Sequence, residues 1–407
     1  MKKIFAIYAK NIAVVFLEKA TTIALGLLCT SLIARSLSVE DFGNFQYSLV
    51  LLNIFLSLTY FCGAEFLTPK ITTQKSNSNK LITDAFFLRL SFSLISSLIL
   101  IIYIIQAKTN ILYIILLPLL IKETFSIALN WFQAHGKNYI PSKIQIFSSI
   151  IKTTIIYLLF AHEKISLDIA LIMFFAEYCF TTILIFIIFK KESGFKIQKT
   201  SVNNILSLLK ESWSFGIGIF FMMILQRIDK FYLKSRISEY EFGLYSAASQ
   251  ITENILVFFS VFITTISPLL IYNKDNYYQV KNSLLILIIT TLFISLTIIT
   301  LINTFSSEIF SLVFGEIYKA SSSIFLKLSP LIIIYTLDLS ISSYFNKFNM
   351  GKTIMKKWII SFSTSFFLLG INNDANIDYS IISITLGYLL GFLYSLFSFK
   401  MKDNKLK

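Results

Sequence analysis

Charged residues, cysteine, histidine and proline are all scarce in this sequence of 407 residues. Only 14% of the residues are charged, and there are 3 cysteines, 2 histidines and 5 prolines. Cys29, Cys62 and Cys179 lack the spacing of a metal site, and His135 and His162 have no Cys or His partner nearby. The connectors between apolar runs reach only about 20 residues. We therefore expect no soluble catalytic domain, catalytic residue, metal site or organic cofactor.

Apolar residues dominate instead, since 56% of the chain is hydrophobic. A helix that crosses the hydrocarbon core needs roughly 20 mostly apolar residues. About twelve such runs occur, near 12–34, 45–67, 84–106, 111–131, 144–161, 168–189, 212–233, 244–271, 282–304, 324–345, 357–371 and 378–399. The run at 357–371 is the weakest, so eleven is the alternative count. The sequence predicts an all-α integral membrane protein with about 12 transmembrane helices.

Basic residues outnumber acidic ones, 36 to 22, for a formal net charge of +14. They lie between apolar runs and not on one soluble face, so we do not predict nucleic-acid binding. With a cytoplasmic N-terminus, the cytoplasmic connectors and C-terminal tail hold 23 Lys and Arg residues, and the opposite connectors hold 6. Because this bias marks cytoplasmic loops, we predict a multi-pass protein with both termini in the cytoplasm.

Two connectors recur in the second half of the chain, which indicates an internal repeat. Ser36–Phe45 matches Arg236–Tyr245 at an offset of 200, and Ala134–Lys137 matches Asn349–Lys352 at an offset of 215. Both connector types fall on the same side of the membrane in each half, so the repeat is parallel. We predict two six-helix bundles around a central lumen. The N-terminal bundle covers residues 1–195, a cytoplasmic linker covers 196–210, and the C-terminal bundle covers 211–407.

Four short motifs follow one another along the chain. They are Ile33–Phe45, Gln226–Lys230, Gly243–Ala247 and Val313–Tyr318. The set resembles the O-antigen unit flippases, a polysaccharide transporter family of the multidrug/oligosaccharidyl-lipid/polysaccharide exporter superfamily. The sequence departs from that pattern at Ser38, where the family commonly carries Gly.

This resemblance implies a carrier that works by alternating access in the bacterial inner membrane. Its substrate would be an O-antigen or related polysaccharide unit linked to undecaprenyl pyrophosphate, moved from the cytoplasmic to the periplasmic leaflet. The lipid tail would stay in the bilayer while the sugars cross through the lumen. Whether the protein works alone or beside a polysaccharide polymerase and a chain-length regulator stays open.

Ionisable side chains inside apolar runs rarely face lipid, because each costs roughly 2.5 kcal/mol or more at the bilayer centre. We predict that Lys19, Lys152 and Arg227 bind the diphosphate, since charge-assisted hydrogen bonds to phosphate are strong. The alternative is that each cation only neutralises a nearby acid. The acids that could bind a coupling proton or sodium ion are Glu18, Glu177, Asp229, Glu253 and Asp338.

Other features are predicted to be structural. Arg89 and Lys230 lie near the ends of apolar runs, where long side chains can reach interfacial water. The pairs Phe42–Gly43 and Phe242–Gly243 predict a shared turn in which Gly permits chain reversal and Phe anchors in the membrane interface. Lys357 is assigned to a cytoplasmic connector.

Other functions fit parts of this pattern. A multidrug or cation antiporter of the related extrusion family would share the layout and the lumenal acids, but its cationic substrates predict fewer lumenal cations. A polymerase or glycosyltransferase would need a large extracytoplasmic loop. A channel is disfavoured by two repeated bundles joined by a linker. The sign of the lumenal charge therefore discriminates between the carrier hypotheses.

Overall fold

The computed structural model describes residues 2–73, 77–107, 110–274, 276–348, 350–371 and 376–406. These ranges are almost entirely helical and contain no strand. The α-helices are α1 (Lys2–Ser36), α2 (Val39–Ser57), α3 (Ala64–Thr73), α4 (Ser78–Ala107), α5 (Leu116–Phe125), α6 (Ile127–Ala134), α7 (Tyr139–Ala161), α8 (Leu167–Ser193), α9 (Val202–Leu225), α10 (Ile228–Lys234), α11 (Glu239–Ser267), α12 (Tyr277–Thr304), α13 (Ser306–Phe314), α14 (Ser321–Lys347), α15 (Gly351–Ile371) and α16 (Ile377–Leu406).

Eleven stretches of helix in the described ranges are long and apolar enough to cross a membrane. The predicted fold class, an all-α integral membrane protein, is confirmed. The run expected to be weakest forms α15, which meets the criterion with 21 residues. The run at 45–67 does not, because α2 ends at Ser57 and α3 begins at Ala64. The count of about twelve is therefore eleven spans that meet the criterion plus the run at 45–67, which does not.

The chain folds into two compact units, and each unit combines two separate stretches of sequence. Unit 1 consists of Met1–Cys29 and Ser48–Met223, and unit 2 consists of Thr30–Tyr47 and Ile224–Lys407. Helix α9 begins at Val202, so part of the segment predicted as a linker is helical. The division into six-helix bundles at residues 195 and 211 stays a prediction.

An aromatic cluster forms part of the core of unit 1. Gly194 has a φ of +61°, a left-handed conformation that suits glycine and ends α8. The chain then turns back so that Phe195 packs against Phe189, with ring centroids 5.2 Å apart. Phe189 in turn contacts Trp131 of α6 at 5.5 Å. This end of α8 is thereby fixed against α6.

In unit 2, helices α15 and α16 pack closely through small residues. Gly387 and Gly391 of α16 stand four positions apart and face Ser361 and Ser365 of α15. A Cβ atom on Gly387 would lie 2.6 Å from the carbonyl oxygen of Ser361 and would overlap Ser365 Oγ. Small residues at this spacing let membrane helices approach each other.

The two copies of the first repeated connector, Ser36–Phe45 and Arg236–Tyr245, both lie in unit 2, and each starts a helix with a capping serine. Ser38 Oγ accepts a hydrogen bond from the backbone N–H of Asp41 at 3.1 Å. Ser238 Oγ accepts one from the backbone N–H of Glu241 at 3.2 Å, and Glu241 accepts from the Ser238 N–H in return. These bonds satisfy N–H groups that a helix start leaves without partners.

The repeated glycines contact each other. A Cβ atom on Gly43 of α2 would lie 3.3 Å from Cα of Gly243 in α11, and one on Gly243 would overlap the carbonyl oxygen of Val39. Both glycines lie within helices, so the predicted chain reversal at glycine is wrong. Their missing side chains allow a close helix contact instead.

The repeated phenylalanines are buried, which corrects the prediction that they anchor in the membrane interface. Phe42 and Phe242 are both 0% exposed. Phe42 packs against Phe314 and Tyr318, with ring centroids 5.9 and 5.6 Å apart. The motif therefore recurs because both connectors take part in the packing of unit 2.

We predict that Gly387→Ala destabilises the protein by about 1–3 kcal/mol, since an added methyl group overpacks a tight helix contact. The measurement is the thermal unfolding of purified protein in detergent. Gly370→Ala is the matched control, because a Cβ atom at Gly370 meets nothing within 4 Å. Equal melting temperatures for the two variants would contradict the close packing of α15 on α16.

Candidate functional site

Unit 1 contains a cavity of about 380 Å³ whose wall includes six charged side chains. Helices α1, α5, α7 and α8 contribute its charged side chains, which are Glu18, Lys19, Lys122, Glu123, Lys152 and Glu177. Its uncharged polar side chains are Thr22, Ser126, Gln145, Ser149, Tyr178, Thr181 and Thr182. The structure thus brings four predicted site residues together, namely Glu18, Lys19, Lys152 and Glu177.

Two of the predicted cations in this cavity are paired with predicted acids. Lys152 Nζ lies 2.6 Å from Glu177 Oε2, and both side chains are largely buried. Ser149 Oγ donates a further hydrogen bond to Glu177 at 2.9 Å. Lys19 Nζ lies 3.1 Å from Glu18 Oε1, but 40% of the Lys19 side chain is exposed. Lys19 can therefore reach a ligand more easily than Lys152.

Lys122 is the cavity cation that the sequence reasoning did not select. Its Nζ lies 4.3 Å from the ring centroid of Tyr178. Within the described ranges, no carboxylate approaches it to 4.0 Å, while Glu18, Glu123 and Glu177 each face a different cation. The sequence did show that Lys122 and Glu123 are adjacent ionisable residues in an apolar run. It did not show that Glu123 would face Arg89 and leave Lys122 without a described carboxylate within 4.0 Å, because that depends on the fold.

Arg89 of α4 is 1% exposed, so the prediction that its head group reaches interfacial water is wrong. Its guanidinium donates to the carbonyl oxygens of Phe61 at 3.0 Å and Cys62 at 2.7 Å. It also lies 3.8 Å from the carboxylate of Glu123. Arg89 thereby supplies the third cation that neutralises an acid of the cavity wall.

Unit 2 holds a second charged cluster around Glu253. Lys230 Nζ lies 2.7 Å from Glu253 Oε1, and Arg227 pairs with the other carboxylate oxygen. Lys230 is 1% exposed, so it also does not reach interfacial water as predicted. Asp229 Oδ2 accepts a hydrogen bond from the Tyr245 hydroxyl at 2.5 Å. The structure brings Arg227, Asp229 and Glu253 together in this cluster.

Asp338, the remaining predicted acid, is held in a buried polar group of unit 2. Lys357 Nζ donates to Asp338 Oδ2 at 2.7 Å and to Ser342 Oγ at 2.8 Å. Ser395 Oγ donates to the other Asp338 oxygen at 2.7 Å. Lys357 is 1% exposed, so its assignment to a cytoplasmic connector is wrong. Lys357 points inward because its ammonium group pairs with the buried carboxylate of Asp338 in α14.

Two comparisons with known sequences bear on the family. The family described as polysaccharide biosynthesis protein matches residues 8–273, well over half of the chain. No curated protein sequence matches the chain.

Solved membrane transporters share the fold over nearly the whole chain. The lipid II flippase MurJ in an inward closed conformation has 17% identity and a TM-score of 0.70, over 95% of this chain and 87% of that one. An outward-facing multidrug resistance MATE transporter of the MOP superfamily has 13% identity and a TM-score of 0.66, over 98% and 97%. A MOP superfamily transporter from Pyrococcus furiosus, described by the reverse polarity of its binding pocket, has 14% identity and a TM-score of 0.67, over 97% and 96%.

We predict that Lys152→Met destabilises the protein by about 3 kcal/mol or more, because it leaves the Glu177 carboxylate buried without its cation. The double variant Lys152→Met/Glu177→Met should recover most of that loss. The measurement is thermal unfolding in detergent, followed for both single variants and the double variant.

The pair Lys137 and Glu192, with side chains 37% and 40% exposed, is the matched control, and its removal should change stability little. If the double variant at 152 and 177 is no more stable than Lys152→Met, the pair does not hold α7 against α8. Recovered stability without recovered transport in a complementation assay would assign the pair of Lys152 and Glu177 a role in transport as well.

Proposed function

Because the chain belongs to the polysaccharide biosynthesis protein family, we propose that it is a flippase for lipid-linked oligosaccharides. The substrate class is an O-antigen or related polysaccharide unit on undecaprenyl pyrophosphate. The protein moves it from the cytoplasmic to the periplasmic leaflet of the bacterial inner membrane by alternating access. Both termini lie in the cytoplasm, and the protein is a carrier and not an enzyme.

The observation that carries this proposal is the charge of the cavity in unit 1. Each of its three acids faces its own cation, and Lys122 has no carboxylate within 4.0 Å among the described residues. An unneutralised ammonium group in a low-dielectric cavity attracts an anion strongly. A diphosphate supplies that anion, and the exposed head of Lys19 can contribute a second contact.

The uncharged part of the cavity wall suits a sugar. Thr22, Gln145, Thr181 and Thr182 all line the cavity. Hydroxyl and amide groups both donate and accept hydrogen bonds, as sugar hydroxyls do. The prenyl tail needs no polar partner and can remain in the bilayer.

A cation antiporter is the second candidate, favoured by the likeness to MATE transporters and by the three acids of the cavity. A cationic drug would have to displace Lys19, Arg89 or Lys152 from its acid before it could bind. An anion at Lys122 requires no such displacement, which is why we favour the flippase.

The coupling ion belongs to the same proposal. Glu18, Glu177, Glu253 and Asp338 are paired with lysine or arginine. Asp229 differs from them, since no described cation lies within 4.0 Å of its carboxylate and its Oδ1 accepts no hydrogen bond from a described residue. We place a proton or sodium ion, if the cycle uses one, at this carboxylate. A polymerase and a chain-length regulator are proposed partners downstream.

The proposal is tested by deletion and complementation in the native bacterium. Deletion should abolish long-chain surface polysaccharide and leave lipid-linked units inside the cell. Lys122→Ala, expressed at verified membrane levels, should lower surface polysaccharide by at least about tenfold, the effect of losing a hydrogen bond to a charged group. Lys19→Ala should have a smaller effect.

Lys164→Ala is the matched control, because Lys164 is an exposed lysine in a connector. It should restore polysaccharide fully. Unchanged surface polysaccharide in the deletion strain, together with lower tolerance to cationic drugs, would replace the flippase with the antiporter.

A further inference from the structure

Two of the membrane segments in unit 1 are interrupted, and both interruptions lie beside one another. The first is the stretch 58–63 between α2 and α3, where Cys62 has a φ of +56°. The second is at Ser126, where α5 ends and α6 begins. Interrupted helices leave carbonyl groups without intrahelical partners, and hydrocarbon supplies none.

One side chain donates hydrogen bonds at both interruptions. Arg89 Nε and Nη2 donate to the carbonyl oxygens of Phe61 and Cys62 at the first. Arg89 Nη1 donates to the carbonyl oxygen of Glu123 at 3.1 Å and to Ser126 Oγ at 2.6 Å at the second. All three guanidinium nitrogens are therefore used, and the planar fork fixes the two segments relative to each other.

Unit 2 provides an internal comparison. Helix α11 runs without a break through Ser267, and α14 is continuous from Ser321 to Lys347. The repeated connectors on either side of Arg89 have offsets of 200 and 215, which place its counterpart in 289–304, a stretch without arginine. Among the described residues, unit 1 therefore has the arginine and both interruptions. The corresponding parts of unit 2 have neither the arginine nor the interruptions.

The second interruption belongs to the cavity wall. Lys122, Glu123 and Ser126 all line the cavity, and the carboxylate of Glu123 lies 3.8 Å from Arg89. An anion that binds at Lys122 would lie one residue from Glu123, repel its carboxylate and attract the guanidinium of Arg89. Any shift of Arg89 changes its bonds to Phe61 and Cys62.

We propose that Arg89 is a positioning residue that links cavity occupancy to the interruption at 58–63. Arg89 fixes residues 122–126 of the cavity wall in the position that binds an anionic head group. When an anion binds there, Arg89 shifts and alters the stretch 58–63 of the second membrane segment. Interrupted helices give transporters a place to bend beside the bound substrate. The link to an anionic ligand rests on the proposed function, whereas the positioning role of Arg89 does not.

Cys62 lies within the interruption at 58–63, so its reactivity can be used to measure opening of this stretch. Its side chain is 0% exposed and its thiol donates to Ser212 Oγ at 3.3 Å. A thiol in this position reacts with a reagent when the segment opens, so its labelling rate follows the population of the open form. Replacing Cys29 and Cys179 by serine leaves Cys62 as the single cysteine.

The experiment measures N-ethylmaleimide labelling of Cys62 by mass spectrometry, in lipid nanodiscs, with and without inorganic pyrophosphate. Four proteins are compared: the parent, Arg89→Lys, Glu123→Gln and the control Glu192→Gln, which alters an exposed acid of unit 1. Arg89→Lys keeps the positive charge, but the single amino group of lysine cannot donate to carbonyl oxygens at both interruptions as the three guanidinium nitrogens do. Melting temperature is recorded for each protein, so that an unfolded variant is recognised.

Pyrophosphate should raise the labelling rate of the parent and of Glu192→Gln several-fold. Arg89→Lys should label about tenfold faster without ligand, the effect of losing a hydrogen bond to a charged group. Glu123→Gln keeps the backbone carbonyl that Arg89 contacts but removes the ion pair, so it should label several-fold faster. Both variants should lose the response to pyrophosphate. Folded Arg89→Lys and Glu123→Gln proteins that label at the rate of Glu192→Gln overturn the positioning role. Faster labelling in both variants, with no pyrophosphate response in any protein, supports that role and counts against the anionic substrate.

Discussion

Inside a bilayer, charged side chains and interrupted backbone have no water to bind, so every such group needs a partner within the protein. This constraint explains most of the polar contacts in the structure. Lys152 pairs with Glu177, Lys357 with Asp338, and Glu253 with two cations. Each pair joins different helices or turns of one unit, so pairing determines which helix faces come together. In the cavity of unit 1, no described carboxylate approaches Lys122 to 4.0 Å, and the proposed anion site rests on this cation.

The two halves of the chain meet the same constraint in different ways. Glu123 and Asp338 correspond at an offset of 215, which is also the offset of one repeated connector. The Asp338 carboxylate accepts hydrogen bonds from Lys357 and Ser395, and Ser342 accepts another from Lys357. Asp338 lies in the continuous helix α14. Glu123 instead faces a cavity and an arginine whose donors are directed at backbone carbonyls. This difference supports the proposed binding site in unit 1, since only Glu123 lines a cavity beside a cation that no described carboxylate approaches.

Sequence reasoning located the membrane helices and most of the charged clusters, because apolar run length and buried charge are properties of local composition. It misplaced Arg89, Lys230 and Lys357, which it assigned to the interface or a connector. A long cationic side chain near the end of a span can reach water or turn inward to a partner. The choice depends on an acid or a carbonyl contributed by another helix, as Glu253 is for Lys230.

The sequence by itself determined that this is an all-α membrane protein with repeated connectors, since hydrophobic length and motif spacing need no knowledge of neighbours. The family resemblance was also readable from ordered motifs. Only the tertiary structure decided that no described carboxylate approaches Lys122 to 4.0 Å, that Gly43 contacts Gly243, and that the second span is interrupted. The physical reason is the same in each case. These properties depend on contacts between residues far apart in the chain, and one helix alone does not specify which face meets another.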